Sequence, residues 1–289
     1  MNVELPKKNK IDKKQLIIYI SIILICAISI LVAFYAQFYG RIDIAKMIGI
    51  GKEEQFGEKT QEEIQTLKTG FEDIFTNEIT NDDGRNNNKK RDSDKPMVIT
   101  GIEKKESKLN SYDIEVKIPY INIDNEIISK HNEEIEKTFV AKAKDILEKD
   151  EKNKNTIFTV EYVANIEYDI LSLMIRSNLK EGANAQKVII KTYNYDLRNN
   201  KEITLEEMLK IKQLDKQQVQ ERIRNEIELE QKRVEDLKSL GYNIYSRDAQ
   251  SEEYNINAQT QSYMTKEAIY IIYAYGNEHF TSEKDVVII

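Results

Sequence analysis

Two histidines and one cysteine are the only imidazole and thiol side chains in this 289-residue chain. Cys26 stands inside an uncharged apolar run, and Ile25 precedes it where a lipidation signal needs a small residue. It reads as a lipid-facing or packing thiol. A catalytic zinc site needs about three converging N, O or S ligands. His131 and His279 form no HxxH or HxxxH pair. Periodicity places His131 on the exposed side of a helix, and His279 falls in a loop beside Asn277 and Glu278, so both read as surface residues. The sequence has no G-x-S-x-G turn and no phosphate-binding loop. Asp and Glu total 50 against 43 Lys and Arg, a net charge of −7. Paired carboxylates can hydrolyse a glycan, but no spacing here singles out a pair. The acidic balance gives no footing for nucleic acid. These residues predict a non-catalytic protein with no catalytic residue, no cofactor and no metal.

Tyrosine is the distinctive side chain, with 16 copies and no tryptophan. Exposed rings can stack on sugars or anchor a protein interface. Tyr193, Tyr195, Tyr263, Tyr273 and Tyr275 form the candidate binding surface, with Tyr270 in the same C-terminal half. Most rings of a β-rich domain without tryptophan are expected in the core and at the sheet rims.

The elements that must position these rings follow one long apolar stretch. Residues 16–38 read LIIYISIILICAISILVAFYAQF, with no charge and no proline. A helix of this length would be about 34 Å long, enough to cross a hydrocarbon core of about 30 Å. Lys7, Lys8, Lys10, Lys13 and Lys14 precede it against Glu4 and Asp12, whereas the far flank is mixed. The positive-inside bias sets the N-terminus in the cytoplasm and the rest outside. The run exceeds the length of a cleaved signal core, about 7–15 residues, so an uncleaved anchor in the lipid bilayer is expected. The exported part has no cysteine, and packing alone must stabilise it.

Five segments follow from composition: a tail (1–15), a transmembrane anchor (16–38), a juxtamembrane helix with flexible linker (39–96), and a module in two parts, 97–200 and 201–289. In the third segment, Ile64, Leu67, Phe71, Ile74 and Phe75 make one helical stripe, a stalk or a docking helix. NDDGRNNNKKRDSDKP at 81–96 has no apolar residue and reads as linker, so the folded module is expected from about Met97. Strands are predicted at 97–102, 112–120, 156–166, 170–177, 186–194, 262–264, 268–275 and 286–289. Two main helices are expected, one after Asn125 and one from about Asp215 to Leu240, with a Thr204–Glu207 capping box between them. Ala268–Tyr275 is apolar on both faces, as a central, doubly covered strand would be. The fold class is α+β, mostly antiparallel.

Three stretches carry a resemblance to a known family. ILSLMIRSNLKEGANAQKVIIKTYNYDLRNNKEITLEEML lies within 165–209, SYMTKEAIYIIYAYGNEHFTSEKDVVII closes the chain, and YINIDNEIISKHNEEI lies upstream. Their spacing resembles the extracytoplasmic module of RsiV-type anti-sigma factors and some peptidoglycan deacetylases, over roughly residues 97–289. The resemblance implies a receptor that meets lysozyme, or a module that precedes a catalytic domain. Two departures stand out. Only about 15 residues precede the apolar run, and the glycine-rich turn reads EGANA at Glu181–Ala185 without the family's histidine.

The expectation is a membrane-tethered, extracytoplasmic, non-catalytic binding or sensor module. It would recognise a cell-wall glycan or an extracellular protein such as lysozyme. A lysozyme-sensing anti-sigma factor and a peptidoglycan hydrolase with paired carboxylates are the alternatives.

Overall fold

The computed structural model describes residues 59–79, 96–149 and 155–289. The chain divides into two compact units, Met1–Gln55 and Phe56–Ile289, and all described residues belong to the second. The expected anchor at 16–38 and most of the expected linker lie outside the described residues. Among the described residues no helix is long and apolar enough to cross a membrane.

The first two helices, α1 (Gln61–Thr69) and α2 (Phe71–Ile79), share the single stripe expected of one helix. Thr60 and Glu63 form a capping box that starts α1, and Gly70 separates the pair. Ile64, Phe71 and Phe75 are buried. Glu72 pairs with Lys284 at 2.6 Å and with Arg176, whose guanidinium lies 4.0 Å over the Phe75 ring. The stripe is therefore a docked element of the core, and the folded unit starts well before Met97.

The first sheet has six strands in sequence order: β1 (Val98–Lys108), β2 (Tyr112–Ile121), β3 (Thr156–Glu167), β4 (Ile170–Glu181), β5 (Lys187–Asp196) and β6 (Lys201–Glu202). All neighbours are antiparallel except β2 and β3. A parallel pair needs a crossover, which here is a helix. It runs as α3 (Glu126–Ile135), a π turn (Glu136–Val140) and α4 (Ala141–Glu148). The Asn125 side chain caps it by accepting from Ile127 N at 2.8 Å. Ile128, Ile135, Phe139 and Ile146 pack on the alternating residues Ile114, Val116, Val160 and Leu173.

The second sheet is β7 (Gln261–Met264), β8 (Ile269–Ala274) and β9 (Lys284–Ile288), with β8 central as expected. Alternation divides β8 between two cores. Tyr270, Ile272 and Ala274 face Met174, Val188 and Ile190 of the first sheet and Phe71 and Phe75 of α2. Ile269 and Ile271 face the helices α5 (Leu205–Ile211) and α6 (Lys216–Ser239). The two expected parts, 97–200 and 201–289, thus share a core. The observed class is α+β with mostly antiparallel sheets.

Side chains join the sheets where the backbone ladder stops. Asn194 donates to Ser262 O at 2.9 Å, and Asn165 to Met264 O at 3.1 Å. Asn277 accepts from Ile190 N at 3.0 Å and donates to Ile190 O at 2.9 Å, acting as one residue of an absent strand. Beside it Gly276 lies against β5 so closely that a Cβ would sit 1.8 Å from Val188 O. Only glycine permits that approach.

Candidate functional site

Helix α6 is capped at its C-terminus by Leu240, and Gly241 (φ +89°) ends the turn that follows. The segment that follows, 242–260, is irregular, and polar clamps hold it. Gln220 of α6 donates to Tyr254 O and accepts from Ile256 N, both at 2.8 Å. Gln231 accepts from Arg247 N at 2.7 Å, and Glu283 accepts from Tyr245 N at 2.8 Å.

Arg247 carries the central anchor, its side chain 5% exposed against 7% for Asp285 of β9. Its Nε donates to Asp285 Oδ2 at 2.8 Å and its Nη2 to Oδ1 at 3.1 Å, a two-pronged match of guanidinium to carboxylate. Nη1 donates to Tyr245 O at 2.7 Å and to Glu283 Oε2 at 3.1 Å. The Tyr275 hydroxyl donates to Asp285 as well. The Tyr254 and Tyr275 hydroxyls are 2.7 Å apart. With the Tyr275 proton directed at Asp285, Tyr254 is the donor of that pair.

Electrostatics follow from this geometry. Burial, then the Asp285 charge, pushes the Tyr275 phenol far up, so it stays a donor at every physiological pH. Burial works against the Arg247 charge, but the bonds and charge of Asp285 outweigh it and hold the guanidinium more firmly protonated. Burial, then the charge of Glu253, raises the Tyr273 phenol.

Above this anchor lies an open cleft of about 280 Å³. Its floor is aromatic. The Tyr245 ring stacks on Tyr275 at 4.2 Å and 20°, and His279 lies 5.4 Å from Tyr245. Tyr273 meets Tyr254 edge-on at 5.0 Å. Glu253, Glu278 and Gln259 are exposed at the rim. Such a site combines a flat apolar surface with polar groups that fix orientation. A larger cavity of about 520 Å³ lies near Arg247, but its charges are matched inside it, Lys68 with Glu226 and Lys284 with Glu72.

The tyrosines named from sequence are dispersed. Tyr273 and Tyr275 line the cleft. Tyr193 and Tyr195 alternate onto the helix side of β5 and are buried in its core, and Tyr263 is buried between the sheets. Those three rings are not exposed stacking surfaces, because the period of two in their strands directs them inward, and Tyr275, just past the end of β8, is buried too. His131 also departs from expectation. It is 8% exposed and its ring lies 5.0 Å from Tyr193. The spacing could have shown this, since 131 stands three residues after Ile128 and four before Ile135 on the buried stripe. His279 is exposed in its loop. Sequence reasoning missed Tyr245, Arg247, Glu253 and Asp285, which no periodic pattern marks. Among the described residues no group of three or more His, Cys, Asp or Glu converges as a metal site.

No protein-family model matches the chain, and no curated protein matches it. The solved structures similar to it include a DUF3298 family protein from Pseudomonas aeruginosa. It is 13% identical, with 63% of this chain and 82% of that one covered and a TM-score of 0.37. Another is a DUF3298 family member from Bacteroides fragilis, 16% identical, with 62% and 80% covered and a TM-score of 0.32. The functional reading therefore rests on the residues of this chain.

Proposed function

We propose that this chain is a non-catalytic binding module, held at the outer face of a cell membrane by residues 16–38, that grips a cell-wall glycan in the Tyr245–Tyr275 cleft. The observation that carries the reading is the half-buried Tyr245 ring, pre-stacked on Tyr275 and rimmed by polar side chains. Stacked rings offer the apolar face of a sugar a rigid platform at little entropic cost. Arg247 and Asp285 serve this role indirectly, by fixing the backbone at Tyr245 and the hydroxyl of Tyr275. The lysine-rich tail before residue 16 agrees with an inside tail and an outside module.

The test is cosedimentation of the full-length chain with purified cell-wall sacculi. Retention is expected, and Tyr245→Ala should abolish it without lowering the melting temperature by more than a few degrees. Retention on lysozyme but not on sacculi would replace this reading with a protein receptor.

A further inference from the structure

The cleft has a polarity that its aromatic floor alone does not require. Glu253 and Glu278 are the only acidic side chains among its lining residues, and neither lysine nor arginine lines it. Both carboxylates are exposed at the rim. The charge of Glu253 acts on the hydroxyls of Tyr245, Tyr254 and Tyr273 together, and Glu278 acts on Tyr245 too. Arg247, whose charge also reaches the Tyr245 hydroxyl, is committed to Asp285, Glu283 and Tyr245 O. One face of the Tyr245 ring lies on Tyr275, so the ring is held in place. A π face under a field of two carboxylates attracts an ammonium group, through the ring quadrupole and through direct charge pairing. A fully acetylated sugar would gain the stacking but leave both carboxylates unanswered.

We propose that the cleft selects amino sugars with a free, protonated primary amine, held with the amine between Glu253 and Glu278 and the ring against Tyr245. This inference rests on the glycan-binding reading above and narrows it to one substituent. It assigns Tyr245 to affinity and the two glutamates to discrimination.

The test is calorimetric titration of the full-length chain with three probes of equal length: a glucosamine tetramer, the N-acetylglucosamine tetramer and a lysine tetrapeptide. The glucosamine tetramer should bind about tenfold more tightly than the acetylated one, in line with a partly desolvated ammonium on a ring. That advantage should shrink as salt is raised. The double variant Glu253→Gln with Glu278→Gln should lose the advantage, so that it binds the two sugars equally. Tyr245→Ala should weaken both sugars. Equal binding of the two sugars by the native chain would overturn amine selection while leaving glycan binding intact. Binding of neither would overturn both. A lysine tetrapeptide bound as tightly as the glucosamine tetramer would also overturn the proposal, since the cleft would then read a cationic polypeptide. An unchanged tenfold preference in the double glutamine variant would do the same.

Discussion

Tyr193 and Tyr275 are each 6% exposed, and burial raises both phenols above their usual range. Their surroundings nevertheless differ in kind. The Tyr275 hydroxyl stands in a completed chain, accepting from Tyr254 and donating to Asp285, which in turn accepts two bonds from Arg247. Tyr193 lies in the core under α3, beside a histidine whose Nε2 has no hydrogen-bond partner among the described residues. One region has matched its buried polar groups and carries an open cleft on top. The other encloses an imidazole with one unmatched nitrogen, with the charges of Glu202 and Glu134 acting on the ring. Burial alone does not mark a site; the completeness of the polar partners separates a built scaffold from a core that tolerates a polar atom.

The largest effect that would break this comparison comes from Arg247→Ala. It leaves Asp285 buried with one guanidinium fewer, and breaking a buried pair costs about 3–5 kcal/mol. Chemical denaturation of the variant should show that loss. The pair Arg247→Met with Asp285→Leu should recover a good part of it, because both charges leave together.

The two tyrosines can then be compared directly. Tyr275→Phe removes a bond to a charged acceptor, worth about 1.5–3 kcal/mol. Tyr193→Phe leaves ring and packing in place, and its cost should stay below about 1 kcal/mol. Equal costs at the two positions would dissolve the distinction between them.

A smaller effect depends on pH. Burial first, offset in part by the charges of Glu202 and Glu134, lowers the His131 pKa from the ordinary 6.5. The unfolded chain therefore takes up this proton before the folded one does. Stability is unaffected by His131 well above pH 6.5 and falls as the pH drops through 6.5 toward the lowered folded value. His131→Phe should remove that part of the acid slope between pH 7 and pH 5, read by thermal melts at both. A slope unchanged in the variant would show that the imidazole is hydrated. The smallest effect belongs to His279→Ala, which is exposed and should shift stability by no more than about 0.5 kcal/mol.

Much of the scaffold could be read from local pattern. The capping box at Thr204–Glu207 forms as spaced, and β8 is central, as its two apolar faces imply. Strand ends were less legible. β4 runs on to Glu181 because Asn178 and Lys180 pair with β3 despite being polar. The site was the least legible part. Segment 242–260 has neither helical nor strand period, and Arg247 meets Asp285 across 38 positions through tertiary packing alone. The stripe from Ile64 to Phe75 was visible as a face, but nothing in it told which surface would cover it. Tyr270, 5.9 Å from Phe71, supplies part of that answer.

The central claim is that ligand is held by the 242–260 segment and the end of β8. Amide hydrogen exchange of the full-length chain, with and without cell-wall glycan fragments, tests it most directly. Protection should appear at 245–261 and 272–279, with the open face of β1 and β2 unchanged. Protection confined to β1 and β2, around the exposed Ile99 and Tyr120, would contradict the account and move the binding surface to the other sheet.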